Sequence, residues 1–249
     1  MKIDALVRSA DLSRIGELAR QAEGQGFDSL FVTENRHDPF LALALAAEQT
    51  GGIAVGTCVA SALPRSPMHL AQVAHDLQTF FGGRLTLGLG IGDRVDLEDR
   101  FGVASHEAAA RMRELVLAVR AIWQAWNDGA PLRFEGRYYR HTLMPPAFDP
   151  GPTGWGPPRI VLLVEEAGLA EIAGEVADGV VVAGSPEGAF LRDVVVPAVA
   201  RGLHRSDRDR SEIELSVALD GPPGSADELH EYVDGHYGGL ADRMVVPLC

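Results

Sequence analysis

The sequence predicts an α/β fold of parallel strands, and three observations carry that reading. Two short runs rich in branched residues, Ile53 to Val59 and Leu85 to Gly90, flank an apolar-periodic segment from Pro67 to Phe81. The crossover is too long for a hairpin, so the two strands pair in parallel. The same alternation of short apolar runs with helical periodicity recurs along most of the chain, and 249 residues suit an eight-fold β/α barrel, which takes about 250.

Each element follows from its local pattern. Ile3 to Val7 is a strand, and Leu12 to Gln25 a helix with Ile15, Leu18, Ala19 and Ala22 inward, stopped by Gly24 and Gly26. Ser29 to Thr33 is strand two. Asp38 then caps a helix that Pro39 opens and that runs to Gln49. That helix is apolar almost all round, which predicts burial on more than one side. In the helix Pro67 to Phe81, Met68, Leu70, Ala71, Ala74, Leu77, Gln78 and Phe81 form the packing face.

Further on, Gly92 to Ser105 reads as a charged loop and His106 to Asn127 as a long helix. Its inward stripe is Met112, Leu115, Val116, Val119, Ile122 and Trp123, with Arg111 and Arg113 as solvated charges. Residues 128 to 158 are dense in Pro and Gly, an excursion with a hairpin, Arg133 to Arg140, turning across Glu135-Gly136. Arg159 to Val164 is a strand, Leu169 to Val176 a helix, Gly179 to Val182 a strand, and Ala189 to Leu203 a helix kinked by Pro197. Glu212 to Leu219 is a strand, Ala226 to His236 a helix, and Arg243 to Val246 the eighth strand. The expected organisation is one domain over residues 1 to 249.

Composition narrows the function. Lys plus Arg total 22 against 35 for Asp plus Glu, a formal charge of -13, which argues against nucleic-acid and anionic-membrane partners. Cys58 and Cys249 are the only cysteines, so no disulfide framework or zinc cluster can be built. No stretch reaches transmembrane length, and a cytoplasmic protein acting on a small molecule is expected. His75, His141, His204, His230 and His236 lack ligand spacing, so no metal site is expected. Ligands on a parallel β/α fold sit at the carboxyl ends of strands, where this chain places Ala60-Ser61 and Gly88-Leu89-Gly90-Ile91-Gly92. Either a ligand approaches that backbone closely or the glycines relieve crowding within the sheet. Their alternating spacing is not a dinucleotide fingerprint.

Six segments together are similar to the bacterial luciferase-like superfamily of flavin and deazaflavin oxidoreductases. They are GFDSLFVTE (26–34), RHDPFLALALAAEQT (36–50), RSPMHLAQVAHDLQTFFGGRLTLGLG (65–90), RMRELVLAVRAIW (111–123), FEGRYYRHTLMPPAF (134–148) and GEVADGV (174–180). The likeness is strongest to the coenzyme F420-dependent oxidoreductase subgroup. It implies a TIM barrel, usually dimeric, with the cofactor ring over the carboxyl ends of the strands. It also implies a non-prolyl cis peptide at Cys58-Val59 or an adjacent bond, with Ser61 and Arg65 in the loop beside the ring and Gly88, Gly90 and Gly92 at the end of the next strand.

Three departures from the family pattern bear on function. Members often carry a His after the acidic end of strand two, where this chain has Glu34-Asn35; Asn35 cannot shuttle a proton, and His37 is the candidate substitute. The turn expected to hold the cofactor phosphate reads Val164-Glu165-Glu166-Ala167-Gly168-Leu169; one acidic residue such as Glu165 occurs there in luciferase-type members and Gly168 preserves flexibility, but Glu166 and Leu169 remove the expected hydroxyl contacts and a second carboxylate would repel phosphate. After Leu219 the chain passes directly to a final helix and strand, a shortened C-terminal segment in which an active-site lid or the wall for the cofactor tail is expected to be lacking. The resemblance therefore implies F420-dependent hydride transfer to or from a small organic substrate, with Glu34, Asn35 and His37 as candidate catalytic residues. An FMN-dependent monooxygenase is one alternative, and a cofactor-free barrel acting as a non-redox enzyme or ligand-binding protein another. The apolar helix Phe40 to Ala47 also allows a subunit role beside a partner chain, a homodimer being expected.

Overall fold

The computed structural model describes residues 1–8, 11–184, 187–221, 235–237 and 239–248. In chain order its elements are β1 (Lys2–Val7), α1 (Leu12–Gly24), β2 (Ser29–Val32), α2 (Pro39–Glu48), β3 (Ala54–Thr57), β4 (Ala60–Ser61), α3 (Pro67–Phe80), β5 (Leu85–Gly90) and α4 (Ala108–Asp128). There follow β6 (Phe134–Glu135), β7 (Arg140–His141), β8 (Arg159–Leu163), α5 (Ala167–Val176), β9 (Gly179–Ala183), α6 (Gly188–Phe190), α7 (Val196–Arg205), β10 (Glu214–Ala218) and β11 (Arg243–Pro247). The chain forms two compact units, one of Met1–Ala60, Thr86–Leu89 and Arg159–Cys249, the other of Ser61–Leu85 and Gly90–Pro158.

The first unit contains the barrel. Eight strands run β3-β2-β1-β11-β10-β9-β8-β5 and close through β3–β5, with parallel pairing in registers such as Leu6↔Phe31 and Ala5↔Val246. This is the TIM barrel expected from the sequence. Local signals set its helices. Asp38 accepts from the Phe40 amide with Pro39 in the first turn of α2, and α1 buries Ile15, Ala19 and Ala22. Helices α5 and α7 cross closely because two positions lack a side chain: a Cβ on Gly202 would lie 1.9 Å from the Glu171 carbonyl oxygen, and one on Gly174 2.3 Å from that of Val199.

Leu6, Phe31, Val181, Ala218 and Val245 form a buried apolar layer inside the barrel. Toward the amino ends of the strands the filling becomes ionic. Arg243 Nε donates to Asp4 Oδ2 at 2.7 Å and its Nη2 to Asp4 Oδ1 and Ser29. Glu214 lies between Arg243, Arg159 and Lys2. A cavity of about 20 Å³ lies where the two layers meet, lined by Arg159, Glu214, Arg243, Thr57, Thr86 and Ser216 together with Phe31, Val161, Val181 and Val245. That is room for about one water.

The second unit is built on α3 and α4. Ser66 caps α3, and Trp123 Nε1 on α4 donates to the Ala71 carbonyl at 3.0 Å. The whole predicted stripe of α4 is buried.

Several sequence expectations change in detail. Strand three ends at Thr57 rather than Val59. The charged loop contains a π-helical turn, Asp96–Arg100, that buries Leu97. Arg111 is not merely solvated, because its guanidinium donates to the Ala104 carbonyl. The hairpin pairs Phe134 with His141 and Glu135 with Arg140, so its turn is Gly136 to Tyr139. Glu114 fixes that turn by accepting from the amides of Arg137, Tyr138 and Tyr139 at 2.9, 2.6 and 2.6 Å. Upstream of Pro197 the helix passes through a π-helical turn, Leu191–Val195, which leaves the proline in the first turn of α7, where its lack of an N–H is tolerated. Most of the expected helix 226–236 lies outside the described residues.

Candidate active site at the carboxyl end of the barrel

Four partly buried groups, Cys58, Val59, Val161 and Leu163, pack against the apolar layer of the first unit. Cys58 and Val59, just past β3, and Leu163, the last residue of β8, make an apolar floor at the carboxyl side of the barrel. The Cys58-Val59 peptide is cis. Its surroundings come from the end of β2: the Thr33 hydroxyl donates to the Cys58 carbonyl at 3.0 Å, and the Glu34 amide donates to the Val59 carbonyl at 3.4 Å. Burial, reinforced by the Asp4 carboxylate and opposed by Arg8, pushes the Cys58 thiol up to about 12, so it is a neutral packing group and not a nucleophile.

Polar groups ring this floor. Arg8, just past β1, donates to the Leu219 carbonyl at 2.8 Å and to Asp220 Oδ1 at 2.9 Å past the end of β10. Asn35 donates from its side chain to the Arg8 carbonyl and accepts from the Arg36 amide, so it serves as a brace between the loops after β1 and β2. Glu34 is half-buried and His37 is exposed in the loop before α2. After β8, Glu165 and Glu166 are both exposed, and Glu166 is the N-cap residue of α5 with no side-chain capping bond. A Cβ on Gly168 would meet only the Glu166 carboxylate within 4 Å, so crowding does not require glycine there.

Gly88 answers a question that the sequence leaves open. A Cβ on it would lie 1.9 Å from the Thr57 carbonyl oxygen, so what approaches this glycine is the neighbouring strand. The remaining expected contacts lie in the second unit. There Arg65 Nη1 donates to the Ser61 carbonyl at 2.7 Å, the Ala62 amide donates to Gly90 at 2.9 Å, and Gly92 has a φ of 81°. Sequence reasoning misses Thr33 and Arg8. A hydroxyl ending an apolar strand, and a cation ending β1, are the available signals.

The sequence matches the profile of the luciferase-like monooxygenase family over residues 3–239. The chain belongs to that family. An uncharacterized protein of Mycobacterium tuberculosis is 44% identical over 219 residues, covering 88% of this chain and 64% of that one. An F420-dependent glucose-6-phosphate dehydrogenase of Intrasporangium calvum is 31% identical over 232 residues, covering 83% of this chain and 65% of the relative. The chain thus spans slightly less than two thirds of the length of these relatives. Among solved structures, the oxygenating constituent of 3,6-diketocamphane monooxygenase from Pseudomonas putida, in complex with FMN, superposes with a TM-score of 0.69 at 22% identity, covering 96% of this chain and 73% of that one. One of these relatives is thus F420-dependent, and the fold is shared with an FMN-bound protein.

Among the described residues no helix is long and apolar enough to cross a membrane, and no group of three or more His, Cys, Asp or Glu side chains could hold a metal ion.

Proposed function

We propose that this chain is an oxidoreductase that binds coenzyme F420 over the carboxyl end of its barrel and serves hydride transfer to or from a small organic substrate. The observation that supports this reading best is the floor of Cys58, Val59 and Leu163 over a fully apolar layer, which suits a planar heterocycle laid flat on it. A deazaflavin supplies the hydride chemistry when bound. The protein's part is positioning: Val59 and Leu163 support the ring, Thr33 and the Glu34 amide hold the backbone beneath it, and the Arg8–Asp220 pair with Asn35 fixes the rim. Glu34 and His37 are the candidates for proton exchange at the substrate. A homodimer is the proposed assembly.

The turn after β8 suits a phosphate poorly. The free amides of the α5 N-terminus would attract an anion, but Glu165 and Glu166 beside them repel it. This observation favours a second reading, a luciferase-like barrel that binds a ligand without F420 or FMN. Titration of the purified protein with F420 and separately with FMN, followed by cofactor fluorescence and thermal stability, decides between them. Saturable binding of F420 in preference to FMN is expected; binding of neither at tens of times cellular levels would remove the redox reading.

A further inference from the structure

The second unit contains a concavity whose lining includes none of the residues placed at the candidate site. It is a cavity of about 250 Å³ between α3, α4 and the Gly- and Pro-rich segment 151–158, walled by His75, Trp123, Trp126 and Pro152, with Gln124 and Asn127 at its rim. Its walls are held in place without a ligand. His75 Nε2 bonds the Gly151 carbonyl at 2.9 Å, Gln78 Nε2 donates to the Gly156 carbonyl at 3.2 Å, and the Thr153 hydroxyl donates to the same carbonyl at 3.0 Å. The His75 ring meets Trp126 edge-on, centroids 5.3 Å apart. Trp123 and Trp126 have spent their ring N–H groups on the Ala71 carbonyl and the Met144 sulfur. What they offer the cavity is ring surface alone.

We propose that this cavity is a binding site for a single-ring aromatic molecule that carries one hydroxyl or carbonyl group and no positive charge. Volume sets the size, since about 150 Å³ of apolar space holds a benzene. The cavity therefore admits one ring and a few further heavy atoms, and it is too small for a tricyclic cofactor. Ring walls set the class, because aromatic edges and faces attract one another beyond simple area burial. The side-chain amides of Gln124 and Asn127, exposed at the rim, set the polar end, since each can donate to or accept from a single oxygen. Arg120 also stands in the lining, and among the described residues no carboxylate does, so the cavity disfavours a cation.

The tryptophans make the site directly observable. All three in the chain, Trp123, Trp126 and Trp155, belong to the second unit. Trp155 is 63% exposed and would be quenched by collision, so the test uses Trp155→Phe as its background. Titration of that protein with 4-nitrobenzyl alcohol is expected to quench emission saturably with a midpoint below about 1 mM. Gln124→Phe and Asn127→Phe, at exposed helix positions that project a ring into the rim, are each expected to weaken binding about tenfold while circular dichroism stays unchanged. Cyclohexanemethanol is expected to compete about tenfold less well than benzyl alcohol. Linear, unsaturating quenching would overturn the site, as would equal midpoints in both filled variants; equal competition by the two alcohols would overturn the aromatic class.

Discussion

The Thr57 hydroxyl is bonded to both main-chain groups of Gly88, donating to its carbonyl at 2.6 Å and accepting from its amide at 2.9 Å. The two residues stand on β3 and β5, the strands whose pairing closes the barrel. Thr57→Val keeps the shape and removes both bonds in a buried place, at an expected cost of about 1–3 kcal/mol. Gly88→Ala forces a methyl group into the Thr57 carbonyl and is expected to cost more, about 3 kcal/mol or above. Urea denaturation of the two variants against wild type measures both; an alanine at 88 that costs less than the valine at 57 would contradict the closure geometry.

Asp4 is fully buried and its cation is Arg243. Removing the cation alone, in Arg243→Met, leaves an uncompensated carboxylate and is expected to cost about 3–5 kcal/mol. The double variant Asp4→Leu, Arg243→Met removes both charges and is expected to regain most of that loss in the same denaturation assay. Equal instability of single and double variants would show that the pair holds the fold by more than its charge balance.

Glu214 gives the ionic layer at the amino ends of the strands an acid-sensitive component. Burial pushes its carboxyl up, but Arg243, Arg159 and Lys2 together pull it below the ordinary range. A carboxyl that binds protons more weakly folded than unfolded stabilises the fold above its unfolded pKa of about 4.3 and loses that contribution as pH falls through its folded value. The stability gap between wild type and Glu214→Gln is therefore expected to be largest at neutral pH and to narrow below about pH 4. Asp4, which burial raises, acts in the opposite direction but is present in both proteins and cancels in the difference. A gap independent of pH would refute the electrostatic assignment.

Glu114 is the clamp of the β6–β7 hairpin. Glu114→Ala strips three amides of their acceptor and is expected to cost about 1–3 kcal/mol. Hydrogen exchange at Arg137, Tyr138 and Tyr139 should rise sharply, with Glu114→Gln intermediate because one acceptor oxygen remains. Unchanged exchange at these three amides would mean that the turn holds itself.

Glu166 tests the proposed cofactor position. If the phosphate of F420 or FMN rests at the α5 N-terminus, Glu166→Ser removes a repelling charge and supplies a hydroxyl, and affinity should tighten by about tenfold or about 1.4 kcal/mol. Higher salt should shrink the difference between variant and wild type. An unaltered dissociation constant would put the phosphate elsewhere.

What is legible in the sequence is local. The Asp38-Pro39 start of α2 and the Ser66-Pro67 start of α3 are settled by neighbours within three residues, and the α4 stripe by its own periodicity. Features that join distant segments are not legible. Gly88 reads as a ligand contact as readily as a packing one, because nothing near it in sequence reveals that Thr57 will fill its place. The hairpin turn is expected too early because Gly136 attracts a turn assignment, whereas Glu114, more than twenty residues upstream, decides it. At the candidate site, the family pattern points to the Cys58-Val59 bond, but only the folded chain shows the Thr33 hydroxyl beneath it.

The Asp4–Arg243 pair joins positions 239 residues apart, on strands β1 and β11 that lie side by side. At about 5–20 residues per second on a ribosome, Asp4 is made on the order of tens of seconds before its counter-ion exists. Through that interval β1 can find β2 on one flank but has no strand for the other. The nascent barrel is consequently an open sheet with an unneutralised acid among its apolar residues, and translation of Arg243 and its neighbours completes the wall and the charge balance together.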